Sequence, residues 1–139
     1  MKKISLLFIA LVTMMSAGFA QTKKTAATQT PAAPVWAEMK AFHAIMSTTF
    51  HPAEEGNFAP LKVKAPELYT AAKVWYASPV PAEFKPAETT EALEKLMIKC
   101  SDVWAAVEAK SDDAKLKSLI TEAHDIFHKI SGTCKRSEK

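Results

Sequence analysis

Residues 113–130 read DAKLKSLITEAHDIFHKI, and within them Leu116, Leu119, Ile120, Ala123, Phe127 and Ile130 recur at steps of three and four. At 3.6 residues per turn this spacing lays one apolar stripe along an α-helix and leaves the Lys, Glu, Ser and Asp positions to solvent. Such a stripe has to be buried against another element. No stretch of the chain shows the two-residue alternation of a half-buried strand, so the partners are expected to be helices. The same segment sets His124 and His128 four apart, one turn above one another on one side, a spacing that a metal ion or a haem edge can use.

Upstream, the turn Lys110-Ser111-Asp112-Asp113 offers Ser111 as a cap for this last helix, and Gly132 is expected to stop it. A third helix follows Pro86, capped by Thr89 or Thr90, and buries Leu93, Leu96, Met97, Cys100, Val103, Trp104 and Val107. It is reached through the proline-rich crossover 78–86, which has no helical prospects. A second helix is expected from Phe58 to Tyr76, with Asn57 as its cap, Leu61, Leu68, Ala72 and Trp75 inward, and Pro66 kinking or delaying it. In the first helix Val35, Trp36, Met39, Phe42, Met46 and Phe50 form the stripe, Pro34 sits in the first turn, and His51-Pro52 marks the end. Four amphipathic segments joined by mostly short connections predict an all-α fold, an antiparallel up-down four-helix bundle over residues 35–139. Glycine is confined to positions 18, 56 and 132, outside all four expected helices.

The N-terminus reads MKKISLLFIALVTMMSAGFA. Two lysines, an apolar run of about 12 residues and small residues at Gly18 and Ala20 predict a secretory signal peptide over 1–20, cleaved after Ala20. The run is shorter than the roughly 20 residues that span a bilayer, so the mature chain is expected in the periplasm or secreted, without membrane insertion. Loss of Lys2 and Lys3 lowers the formal charge from +3 to +1, which removes the support for a nucleic-acid partner. Residues 21–34, polar and rich in Thr and Ala, read as a disordered leader.

Matching Val35 with Ser131 across antiparallel first and fourth helices puts His43 level with His124 and Met39 level with His128. His43, His124, His128 and Met39 then converge, with Met46 and Cys100 as outer candidates and Asp125 as an orienting partner. Imidazole, thioether and thiol groups suit Ni, Co, Zn or Cu, or haem iron, rather than Mg or Ca. His51 and Glu54-Glu55, about a dozen ångström along the helix from His43, read as a helix end and a solvated loop, with a second site as the alternative. Trp36, Trp75 and Trp104 read as core aromatics. Cys100 and Cys134 are separated by about 15–20 Å in this register, beyond the roughly 7 Å that a disulfide allows.

In its layout, its prolyl crossover and its tail FHKISGTCKRSEK (127–139), residues 35–139 resemble the four-helix cytochromes of the c-prime type and their soluble b-type relatives. The c-prime cytochromes carry C-x-x-C-H on helix four. Here Cys134 is followed by Ser137 and Glu138 where the second cysteine and the histidine ligand would stand, so the resemblance implies the fold without covalent haem. The b-type relatives imply non-covalent haem between Met39 and His128. In layout and ligand types the chain is also similar to exported bacterial four-helix metal-binding and metal-sensing proteins, in which histidines and methionine on facing helices hold the ion.

No phosphate-binding glycine loop, nucleophile elbow or HExxH stands in the sequence. The expectation is therefore a non-enzymatic exported protein that binds a transition-metal ion through His43, His124 and His128, with Met39 or Met46 as a fourth ligand. A b-type haem protein for electron transfer, with Met39 and His128 as axial ligands, and a cofactor-free envelope interaction bundle are the alternatives. A second copy of the chain is a further candidate partner.

Overall fold

The computed structural model describes residues 36–135, which belong to one compact unit. The signal-peptide and leader readings, Pro34, Val35, Ser137 and Glu138 lie outside the described residues. Among the described residues there are four α-helices: α1 (Ala37–Glu54), α2 (Ala59–Ala77), α3 (Pro86–Glu108) and α4 (Asp113–His128). One turn of π-helix, Lys129–Thr133, continues α4. Consecutive helices pack on one another, α1 also packs on α4, and the π turn packs on α3 and α4. The fold is all-helical and consistent with a bundle.

The apolar stripe of α4 is buried as its spacing predicts: Leu116, Ile120, Ala123 and Ile130 are all at 1% exposure or less, with Leu119 and Phe127 close behind. On α3 the buried face is Thr89, Ala92, Leu93, Leu96, Cys100, Val103 and Ala106, while Met97, Trp104 and Val107 are only partly covered. Trp75, wholly buried, sits at the centre of an aromatic group, with ring centroids 5.4 Å from Trp36, 5.4 Å from Phe42 and 6.0 Å from Phe127. Trp36 also meets Phe84 at 5.1 Å, and its indole N–H donates to Ser78 Oγ over 2.9 Å.

Several boundaries differ from the sequence expectation. Helix α1 runs through Pro52 instead of ending before it. Pro52 forfeits the amide bond to the carbonyl four residues back, and buried Phe50 and Ala53 on either side hold the last turn against the core. Helix α2 likewise runs through Pro66, which is exposed, so water can serve the carbonyl that loses its donor. Asn57 does accept from the Ala59 amide, over 3.2 Å, although Phe58 holds the cap position. Thr89 and Thr90 lie inside α3, whose cap is Lys85 without a side-chain bond. Gly132 does not end α4. The backbone instead widens into the π turn, closed by the Cys134 amide donating to the Lys129 carbonyl over 3.1 Å. Cys134 then docks the tail on the crossover: its carbonyl accepts from the Lys85 amide over 2.9 Å, and Phe84 and Lys135 form an isolated bridge. Both cysteines are unpaired and buried.

The cap of α4 is Asp112, one residue later than expected. Its side chain accepts from the Lys115 amide over 2.8 Å, satisfying an N–H that has no partner within the helix. Asp112→Ala is expected to lower stability by about 1 kcal/mol in urea denaturation, and Ser111→Ala to change it by only a few tenths of that. Equal losses in the two variants would contradict this cap.

Candidate metal centre on the seam of α1 and α4

All four histidines of the chain lie on α1 and α4. His124 and His128, on α4, bring their Nε2 atoms to 3.1 Å, with ring centroids 4.4 Å apart and planes nearly perpendicular at 81°. His124 is half-buried, its ring stacked on Phe50 of α1 at 3.7 Å and 12°. Phe50 is itself in the core, so this stack fixes the imidazole from behind. His128 is exposed at the last turn of α4 and meets Phe127 edge-on at 5.4 Å.

His43 lies flat on Phe127, at 4.9 Å and 7°. The level matching is therefore displaced: His43 meets the turn that holds Phe127, and His124 meets the end of α1. The contact with His124 falls instead to His51, whose ring centroid is 6.5 Å away. His51 Nδ1 is 3.2 Å from a carboxylate oxygen of Glu54. Lys117 of α4 donates to the Glu54 carbonyl over 3.3 Å, which ties the end of α1 to α4 at this level.

Of the sulfur candidates, Met46 is wholly buried in the hydrophobic core and Met39 is partly buried against it. Cys100 is sealed in the core, and burial pushes its thiol up to about 12. Among the described residues no group of three or more His, Cys, Asp or Glu side chains is gathered closely enough to hold an ion as it stands. What is formed is a pair of imidazole nitrogens.

Its chemistry follows from the distance. Without metal, one ring donates an N–H to the lone pair of the other. At the roughly 2.0–2.1 Å nitrogen–metal distance of a zinc site, two nitrogens 3.1 Å apart subtend about 100°, between a square-planar cis angle and a tetrahedral one. A bound ion would replace the shared proton, and the donor ring would carry its proton on Nδ1.

Burial holds His124 below the usual imidazole range. The neighbouring His128, and more weakly His51, act in the same direction, while Asp125 and Glu54 act against it. A depressed imidazole is kept neutral, which is the form a metal needs. The sign for stability follows from the same shift: between the folded value and the ordinary one of about 6.5, the unfolded chain binds more protons. The contribution of His124 is thus fully present above about pH 6.5 and is lost as pH falls through its folded value. In chelator, the protein is expected to be less stable at pH 5.5 than at pH 7.5 by urea denaturation, and His124→Gln to shrink that difference. An unchanged difference in the variant would contradict the assignment.

In comparisons with known proteins, no family, no curated protein and no solved structure matches this chain. None of these comparisons identifies a c-prime-like cytochrome. No helix among the described residues is long and apolar enough to cross a membrane. Phe50 and Phe127, stacked on His124 and His43, and His51, beside His124, are neighbours that the sequence reading did not place against these rings. An aromatic residue immediately before each of His43, His51 and His128, at positions 42, 50 and 127, was the available signal.

Proposed function

We propose that the protein is an exported, non-enzymatic binding protein for a divalent transition-metal ion, held on the seam between α1 and α4. The observation that carries this reading is the pair of Nε2 atoms of His124 and His128, 3.1 Å apart at the protein surface. Two imidazoles at that spacing favour Zn²⁺, Cu²⁺, Ni²⁺ or Co²⁺, and a third imidazole from α1 completes a nitrogen-rich set.

The antiparallel up-down course belongs to the same reading. It is supported by Trp36, before α1, bonding Ser78 at the end of α2, by Lys62 near the start of α2 pairing with Asp113 at the start of α4 over 2.8 Å, and by Lys99 of α3 pairing with Glu122 of α4 over 2.8 Å. Export rests on the N-terminal signal pattern.

The test is a thermal melt of the protein with Zn²⁺, Ni²⁺, Co²⁺, Cu²⁺ and haemin in turn. A rise with one or more of the ions at pH 7.5 that vanishes at pH 5, where imidazoles protonate, is the expected result. A rise with haemin alone would replace this reading by the Met39/His128 haem site. No rise with any of them would leave a bundle that works by protein contact.

A further inference from the structure

His43 and His51 both lie on the α1 side of the seam, but they are eight residues apart, about 12 Å along the helix. Ligands to one tetrahedral ion have ring centroids only about 5 Å from one another, so one ion cannot readily take both. The surroundings of the two rings decide between them. His43, itself exposed, lies parallel to Phe127 and offset from it, at 4.9 Å and 7°, so its ring is turned toward Phe127. His51 is the α1 histidine whose ring meets that of His124: its side chain is 64% exposed, and its centroid is 6.5 Å from that of His124, about 1.5 Å more than one tetrahedral ion allows, a gap the ring has to close on binding.

Glu54 supplies the second indication. Its carboxylate lies 3.2 Å from Nδ1 of His51. An Nδ1–H donated to that carboxylate leaves the Nε2 lone pair for an ion, the pattern by which a carboxylate orients a metal-bound imidazole. The Glu54 main chain is anchored to α4 through Lys117, so the carboxylate and the chelate are carried by elements tied together at one level. Pro52 belongs to the same turn, and the unexpected continuation of α1 through it keeps His51 and Glu54 three apart on a helix. A helix ending before Pro52 would not hold that pair in register.

We infer that His51, oriented by Glu54, is the third ligand of the ion held by His124 and His128, so that metal binding clamps the C-terminal turn of α1 onto α4, while His43 serves as an aromatic-like cover on Phe127. The inference rests on the metal-binding reading above. It specifies that the ion is bridged between two helices by an all-imidazole set, with the carboxylate one bond outward.

Zn²⁺ titration calorimetry at pH 7.5 separates the two claims, run on the wild type, His124→Ala/His128→Ala, His51→Ala, His43→Ala and Glu54→Gln, with each variant's fold checked by circular dichroism. Loss of His51 is expected to weaken Zn²⁺ binding about 100-fold, and Glu54→Gln about 10-fold, the range for a residue that orients a ligand. His43→Ala is expected to remain within about threefold of wild type. With Cu²⁺ as probe, nitrogen hyperfine structure in the electron paramagnetic resonance spectrum should fall by one imidazole in His51→Ala and be unchanged in His43→Ala. Binding that collapses in the double variant yet is unaltered in His51→Ala would overturn the third-ligand assignment alone. Binding unaltered in the double variant would overturn the metal-binding reading itself.

Discussion

Replacing His124 and His128 together by alanine is expected to abolish the rise in melting temperature that Zn²⁺ produces in the wild type. An ion that binds only the folded chain stabilises it by RT ln(1 + [L]/Kd), about 2.7 kcal/mol at a hundredfold excess over Kd. For a domain of this size each kcal/mol is worth about 4–8 °C, so the wild-type shift should exceed 10 °C. The readout has to be the difference between melts with and without the ion, because the alanine variant also loses the stack of His124 on Phe50 at 3.7 Å. That stack contributes on the order of 1 kcal/mol whether or not metal is present. A double variant that keeps the full Zn²⁺ shift would remove these residues from the site.

Trp75→Ala should have the largest effect on the fold. Trp75 is fully buried, and its ring touches Trp36, Phe42 and Phe127, which come from the lead-in to α1, from α1 and from α4. Truncation leaves a cavity at the meeting point of three segments and costs about 3–5 kcal/mol. Against a total of about 5–15 kcal/mol for a domain of this size, that is enough to leave the chain marginal. Trp75→Phe is expected to cost much less, because the indole N–H is buried without an acceptor and its removal relieves an unsatisfied donor. Urea denaturation followed by circular dichroism measures both, and equal losses would contradict this, showing that the contacts only the indole makes carry the whole effect. The same variant tests the link to the site: Phe127, whose ring meets Trp75 at 6.0 Å and a tilt of 59°, carries His43 on it and His128 beside it.

The stripe of α4 was legible without a structure, down to Ile130, because burial along a single helix is written in its 3.6-residue period and needs no knowledge of partners. So was the proximity of His124 and His128, which follows from helical rise alone. The four helices themselves, the crossover and the unpaired cysteines belong to the same class of local or compositional facts. The level of α1 against α4 does not. It depends on how Phe50 and Phe127 pack and on where Lys117 finds the carbonyl of Glu54, and an error of one turn moves each side chain by about 5.4 Å, past one imidazole and onto the next. Proline at 52 and glycine at 132 were read by their local preference, whereas buried neighbours held the first in a helix and the docking of Cys134 on Lys85 drew the second into a π turn. The sequence alone thus determined which histidines share a helix and which residues face the core. Only tertiary packing decided which histidine of α1 meets them, because registry between helices is set by side-chain fit summed over the whole interface and not by any one residue.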